Sequence, residues 1–325
     1  MIDAPPLLAP ESALRLLRDA CADSSWRVRE VLEAEIVKER PGRRRTLRYR
    51  VLAERDGGTP REFTWYAKHY RGSRGERVFW LLSSLEALAP EVLAPQPIGY
   101  SPKLKLLVMG ALQGSSLSET LRRPGDTDSS VRRAGRALAL VHKAEVPGRA
   151  DHLRAHGARE EIGVLGEARR RASESPLPKQ WTGRFMDLCS AVEDELARDW
   201  DPARSQALLH RDFHPGQVIL CRDGVDVGVL DWDDAALGEP ELDLGNLEAH
   251  LQLDDLQRRG SAATRLIGAL RSGYLAQGEI SFVRLATYRR AALLRLATLE
   301  RLADPRISVL GWAALAAALT ETAST

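Results

Sequence analysis

Twice between residues 207 and 234 the chain runs a short apolar stretch straight into charged groups: "LLHRDFHPGQVIL" over 208–220 and "VGVLDWDD" over 227–234. Apolar flanks of this kind call for burial, and polar groups at the edge of a buried strand are costly unless satisfied. The fold must therefore bring two strand ends to the rim of a core and hold polar loops there, where functional groups commonly sit.

The scaffold around these edges changes character along the chain. "VREVLEAEIVKER" and "RTLRYRVLAER" alternate in part and are separated by "PGR", a hairpin signal. "DGGTP" then turns the chain into a third strand, "EFTWYAKHY", and "GERVFWLLSSLEALA" reads as a helix through Val78, Leu81, Leu82 and Leu85. Two short strands follow, around "IGY" and "LKLLVM", giving a meander of about five strands with one inserted helix. After Ser115 the periodicity is helical, in "SSVRRAGRALALVHKAEV", "AREEIGVLGEARRRA", "TGRFMDLCSAVEDELARDW" and again from about Glu241. The change falls at "MGALQG", Met109 to Gly114. The expectation is an N-terminal lobe over 1–110 and a helical C-terminal lobe over 111–325.

Composition excludes several classes. A net charge of +2 with interspersed signs gives no field for nucleic acid. Cys21, Cys189 and Cys221 are far apart and form no C-x-x-C, which fits a reducing compartment. "VLGWAALAAAL" is too short to span a bilayer, and the first residues lack a basic-then-apolar leader pattern, so a cytoplasmic protein without membrane partners is expected. No G-x-G-x-x-G or Walker A pattern occurs, which disfavours a P-loop nucleotide hydrolase.

Phosphoryl transfer needs a carboxylate that orients the attacking hydroxyl and, a few residues on, a neutral oxygen ligand for a metal ion. Asp212 and Gln217 stand at that spacing in one loop. Asp231, ending "VGVL", suits Mg²⁺, which takes few carboxylates and fills its shell with water and phosphate oxygens. Asp233 and Asp234 crowd the same point and repel it unless a cation or protons intervene. Lys occurs only at positions 38, 68, 103, 105, 143 and 179, so Lys68 in an aromatic strand reads as a choice of a compact ammonium over a planar fork. Such a lysine can hold the phosphates of ATP when a helix carboxylate orients it, and Glu76 is the candidate.

Together "LLHRDFHPGQVIL…VGVLDWDDAALGEPELDLGN" resembles the aminoglycoside phosphotransferase and choline kinase-like family, whose fold is similar to protein kinases. The matching positions are His210, Asp212, His214, Pro215, Gly216, Asp231, Trp232, Gly238, Pro240 and Asp243, with "ALALVHKAEV" and "LLVMGALQGSSL" similar to further family segments. The resemblance implies an α+β, bilobal kinase-like fold: a small, mostly antiparallel lobe with one helix and a larger helical lobe. It implies ATP and Mg²⁺ as cofactors and a small-molecule hydroxyl as acceptor. Asp212 would orient that hydroxyl, and Gln217 with Asp231 would hold Mg²⁺. Lys68 and Glu76 would pin the nucleotide, while main-chain groups from Met109 to Leu112 would receive the adenine. His210, counted with the catalytic loop, and Asp243 would tie that loop in place, and His214 would be packed within it.

The sequence departs from the family pattern at two positions. Gln217 replaces the usual Asn, so a nucleotide-binding pseudokinase is the rival reading. Arg211 has only a short stretch after Asp231 in which to find an activation loop, and is expected to pair with a local carboxylate. "ERPGRRRTLRY", with Gly42 and Arg43 to Arg45, is open between phosphate contact and a solvated hairpin tip. Glu248, Asp254 and Asp255 are open between lining a cationic acceptor's pocket, built from 150–200 and 247–300, and being solvated. A third reading takes Asp231-Trp232-Asp233 as the metal motif of a nucleotide-sugar transferase, which leaves Lys68 and the Asp212 loop unexplained. The acceptor's identity and the oligomeric state do not follow from the sequence.

Overall fold

The computed structural model describes residues 7–40, 44–88, 91–145, 152–174, 179–198, 206–221, 227–257 and 261–299. The expectations for Gly42, Arg43 and "VLGWAALAAAL" fall outside them. The chain divides into two compact units, one built on residues up to Gly114 with the later segment Cys221–Asp233, the other on Ser115–Glu145, Leu153–Leu220 and the chain from Asp234 onward.

The first unit opens with a helix, α1 (Pro10–Ala20), where the sequence reading placed no element. Its signals are local: Pro10 at the first helical position, Glu11 in the first turn, Arg18 in the last, and a buried Ala13, Leu17, Ala20 stripe. Among the described residues the N-terminal unit therefore carries α1 in addition to the expected helix. Strands β1 (Trp26–Arg40), β2 (Arg44–Arg55) and β3 (Arg61–Tyr70) precede helix α2 (Arg74–Leu88), followed by β4 (Val92–Leu93), β5 (Pro97–Ser101) and β6 (Leu106–Gly110).

The five-stranded antiparallel sheet has the order β1-β2-β3-β6-β5, so it is not a simple meander. The fully apolar β6, "LLVM", takes the inner place beside β3, where both faces are covered, and β5 takes the edge. Leu47, Tyr49, Val51 and Ala53 of β2 join Trp65 and Ala67 of β3 on one buried face, closed by α1. The alternate residues, Arg44, Thr46, Arg48 and Arg50 of β2, lie opposite Tyr70, Lys68, Tyr66 and Thr64 of β3. Because side chains alternate across a strand, this register puts all eight on the other, polar face. The later strand Val227–Val229 pairs in parallel with β4.

The second unit is mainly helical: α3 (Thr127–Lys143), α4 (Ala158–Ser173), α5 (Lys179–Arg198), α6 (Glu241–Gln257), α7 (Ala263–Leu275) and α8 (Phe282–Leu299). Its core gathers Leu165 of α4, Phe185, Cys189 and Val192 of α5, Leu253 of α6, and Tyr288 and Leu293 of α8. Helices α3 and α7 meet through glycines: a Cβ on Gly273 would lie 1.9 Å from the Arg132 carbonyl oxygen, and one on Gly135 2.2 Å from that of Leu270. A small sheet of β7 (Ala155–His156), β8 (Ala207–Leu209) and β9 (Ala236–Gly238) has β9 in the middle. Pairing of Leu208 with Leu237 and Leu209 with Ala236 delivers the chain into the loop that begins at His210.

Candidate active site

In the second unit the loop from His210 to Gln217 is held by one carboxylate. Asp243, fully buried in the first turn of α6, accepts the main-chain N–H of His210 on Oδ2 and that of Arg211 on Oδ1, each at 2.6 Å. His142 Nε2 stands 3.3 Å from the same Oδ2, and its Nδ1 lies 2.8 Å from the Tyr274 hydroxyl. Burial pushes the Asp243 carboxyl upward, but the hydrogen bond and charge of His142, with His210, outweigh it and hold the carboxyl below its ordinary range. Arg211 adopts a left-handed backbone, φ 68°, which turns both N–H groups toward that acid.

His210 is fully buried, and its Nδ1 accepts the N–H of Asp212 at 3.3 Å. Its ring thus lies inside the protein, hydrogen-bonded to the main chain of Asp212. The Asp212 side chain is 41% exposed, with His214 Nε2 3.9 Å away. His214 is packed inside the loop: its Nδ1 accepts the N–H of Gly216 at 3.1 Å, its carbonyl accepts that of Gln217 at 2.9 Å, and its ring lies 5.0 Å from that of His250. Gln217 is half-buried at the loop's end, just before the strand Val218–Cys221. Asn246 donates to the Phe213 carbonyl at 3.0 Å, a further tether that the sequence reading did not single out. The expected pairing of the Arg211 side chain with a carboxylate is not formed among the described residues, and its buried Nε has no hydrogen-bond partner.

In the first unit Asp231 follows the strand Val227–Val229 with φ 60°, a left-handed value uncommon for a residue with a side chain. Trp232, buried, donates from Nε1 to the Val229 carbonyl at 2.9 Å and pins this turn. Lys68 Nζ donates to Asp231 Oδ1 at 2.6 Å and to Asp233 Oδ1 at 2.7 Å, and the Tyr70 hydroxyl donates to Asp233 Oδ1 at 2.9 Å. Arg44 donates to Asp231 Oδ1 at 3.2 Å, to Asp231 Oδ2 at 3.0 Å, and to Asp233 Oδ2. Burial alone would raise the Asp231 carboxyl, yet Lys68 first and Arg44 second drive it far below its usual range. Burial, reinforced by Asp233, lifts the Tyr70 phenol well above its ordinary value.

Two expectations need correction on this geometry. Lys68 is not joined to Glu76; Asp233, with Asp231, takes its ammonium. Glu76 is exposed at the start of α2, near Tyr100, whose phenol is raised by burial and by the Glu76 charge. The spacing offered a clue, since Tyr70 follows Lys68 by two residues on one strand face and so can reach the same acid. Arg44 is likewise no solvated hairpin tip, and Arg45 pairs with Glu39 at 2.5 Å.

The cavity on the polar sheet face, about 660 Å³, is lined by Glu33, Glu35, Arg48, Thr64, Tyr66 and Leu112, among others. Met109 is buried in β6 opposite Tyr66, while Leu112 reaches this lining. The N–H groups of Gly110 and Ala111 donate to the carbonyls of Gln96 and Thr64. Glu248 neither lines an acceptor pocket nor is solvated: it is fully buried, with Arg271 at 2.6 Å and Arg289 at 3.5 Å. Asp255 accepts the Ala262 N–H at 3.0 Å. No helix among the described residues is long and apolar enough to cross a membrane.

These features are those of a kinase-like fold with an acid-bearing loop and an acid-ended strand. The family model described as "Phosphotransferase enzyme family" matches residues 36–294, and the chain belongs to that family. Membership removes the nucleotide-sugar transferase reading of Asp231-Trp232-Asp233. The fold is similar to spectinomycin phosphotransferase solved with ADP and spectinomycin, with TM-score 0.61 and 12% identity over 95% of this chain and 94% of that one. It is also similar to a macrolide 2'-phosphotransferase from Brachybacterium faecium, with TM-score 0.56 and 20% identity over 93% and 98% of the two chains. Amicoumacin kinase, solved with AMP-PNP and Ca²⁺, gives TM-score 0.60 and 11% identity over 88% of each chain. A search of curated proteins returned no match.

Proposed function

We propose that this protein transfers the γ-phosphoryl group of ATP to a hydroxyl of a small molecule, with Mg²⁺ as the metal. The observation that carries the reading is the gathering of Lys68, Asp231 and Asp233 beside the polar sheet face, where Lys68 Nζ meets both acids within 2.7 Å. The donor chemistry fits the metal. Asp231 offers hard carboxylate oxygens that already draw two cationic side chains, and Gln217 offers an amide oxygen. Bound there, Mg²⁺ would neutralise charge on the phosphates.

The chain's own residues account for the rest of the chemistry. Asp212, on a loop anchored by Asp243, accepts a hydrogen bond from the acceptor hydroxyl and aims its oxygen at the phosphoryl group. Lys68 lends positive charge to the phosphates, with Asp233 and not Glu76 as the carboxylate that orients it. Leu112 and the ring of Tyr66 border the cavity that takes the nucleobase, and an aromatic face suits a planar base. The protein does no covalent work; it places groups and screens charge.

The test is ADP release against a panel of alcohol-bearing metabolites and antibiotics, paired with thermal shift in ATP and Mg²⁺. Binding of ATP should raise the melting point in wild type and in Asp212→Asn alike, while transfer in the variant falls at least about a thousandfold, a loss of about 4 kcal/mol of transition-state stabilisation. Near-normal turnover of the true acceptor by Asp212→Asn or Asp231→Ala would overturn the assignment. Nucleotide binding with no transfer to any alcohol would favour the pseudokinase reading that Gln217 raises.

A further inference from the structure

We infer that Arg44 is a resident counter-cation that competes with a divalent metal ion for the carboxylate of Asp231 and must leave those oxygens when the metal takes them. The inference rests on the proposed nucleotide chemistry and adds to it a device for making metal binding conditional.

The contacts are unequal in a telling way. Asp233 Oδ1 receives Lys68 and Tyr70, both from β3, a strand paired along its length with β2 and over Trp65 to His69 with β6. Arg44 is the first residue of β2, at the end of the hairpin. Without Arg44, Asp233 would still hold Lys68 at 2.7 Å and Tyr70 at 2.9 Å, and Asp231 Oδ1 would still hold Lys68 at 2.6 Å. Arg44 would uncover Asp233 Oδ2, which its Nη1 meets, and with it Asp231 Oδ2, which its Nη2 meets at 3.0 Å. The latter is the donor atom a metal ion would need.

Two carboxylates here face two cations, Arg44 and Lys68, with side-chain exposures of 11% and 10%. The set is neutral and poorly solvated, so a divalent ion cannot simply be added beside a guanidinium gripping the same carboxylate. The ion must displace Arg44, and a freed arginine in a half-buried place needs a new anion. The phosphates of a nucleotide supply one, in the geometry a guanidinium fork prefers. Metal alone should therefore bind weakly, and metal with nucleotide well, a positive coupling between the two ligands.

The experiment measures Mn²⁺ binding by electron paramagnetic resonance to the full chain, as wild type, Arg44→Gln and Arg44→Lys, with and without AMP-PNP. Arg44→Gln should bind Mn²⁺ alone at least about tenfold more tightly than wild type, and the further gain from AMP-PNP should shrink. Arg44→Lys, which keeps the charge, should stay near wild type. Damage to the fold would weaken metal binding, so a gain cannot come from misfolding. Equal or weaker Mn²⁺ binding by Arg44→Gln overturns the role of Arg44 while leaving the phosphotransferase reading intact. If wild type binds no Mn²⁺ even with AMP-PNP, both readings fail.

Discussion

Replacing Asp243 by Asn tests how the loop that carries Asp212 is built. The Asp243 carboxylate accepts two main-chain N–H groups, from buried His210 and half-buried Arg211, at 2.6 Å each. An amide can accept one of them through its oxygen, but its NH₂ then faces the other N–H donor to donor. One charge-assisted bond is lost and one buried donor is left unsatisfied, which together cost about 2–4 kcal/mol. Asp243→Ala strands both donors and costs about 3–6 kcal/mol, a large share of the stability of a typical domain. The pH dependence has a definite sign. The folded carboxyl lies below its unfolded value of 3.8, so its contribution is complete above that pH and disappears as the pH falls through the folded value.

The assay is urea unfolding of wild type and Asp243→Asn at neutral pH, with transfer kinetics beside it. The variant should unfold earlier with an unchanged m-value, and its kcat should fall about a hundredfold as Asp212 loses its fixed aim. Nucleotide affinity should hold within about twofold, because Lys68, Asp231 and Asp233 belong to the other unit. Stability within about 0.5 kcal/mol of wild type, with normal turnover, would refute the claim that Asp243 anchors the loop.

Two further outcomes follow from the second unit. His250 is half-buried beside His214 and Arg295, and desolvation first, then those charges, depress its pKa from 6.5 to about 3. It stays neutral in the fold, so stability is complete above 6.5 and is lost as the pH falls toward 3, by about 2 kcal/mol at pH 5. His250→Leu should flatten that acid slope in melting curves taken from pH 7 to 4.5, and an unaltered slope would count against the assignment. Gly273→Ala should destabilise by about 2–4 kcal/mol, because the added methyl would lie 1.9 Å from the Arg132 carbonyl oxygen and force α3 and α7 apart. A shift in melting temperature of less than a degree would contradict so close a helix contact.

What could be read from the sequence was whatever depends on local pattern. Strands β1 to β3 and helix α2 follow alternation and helical spacing, and each is built from residues that one neighbouring layer buries. The order of β5 and β6 was not legible, because it depends on which strand has both faces covered. Helix α1 was missed although "PESALRLLRDA" carries Pro10, Glu11, Arg18 and an apolar stripe, because its N-cap, Ala9, makes no side-chain cap to mark the start. At the site, Asp212 and Asp231 stand in a motif that can be seen along the chain. Asp233 stands beside Asp231 in that motif, but its pairing with Arg44 cannot be seen there, since the two find each other across 189 residues and only the β2–β3 register brings Arg44 to the face that carries Lys68.

The same limit explains why the basic residues could be sorted by type but not by partner. Arginine serves this chain where a planar fork can take both oxygens of one buried acid, as Arg284 does on Glu239 at 2.7 and 2.9 Å and Arg271 does on Glu248 at 2.6 and 2.9 Å. Such pairs fix a helix and leave the charge spent. Lys68 shares one ammonium between two different carboxylates, at 2.6 and 2.7 Å, and Arg44 shares its fork between the same two acids. The rarity of lysine singles out Lys68 along the chain, but not the two acids it meets. The acid that orients it could only come from the fold, because a residue's exposure in a helix's first turn, as at Glu76, is not written in its identity.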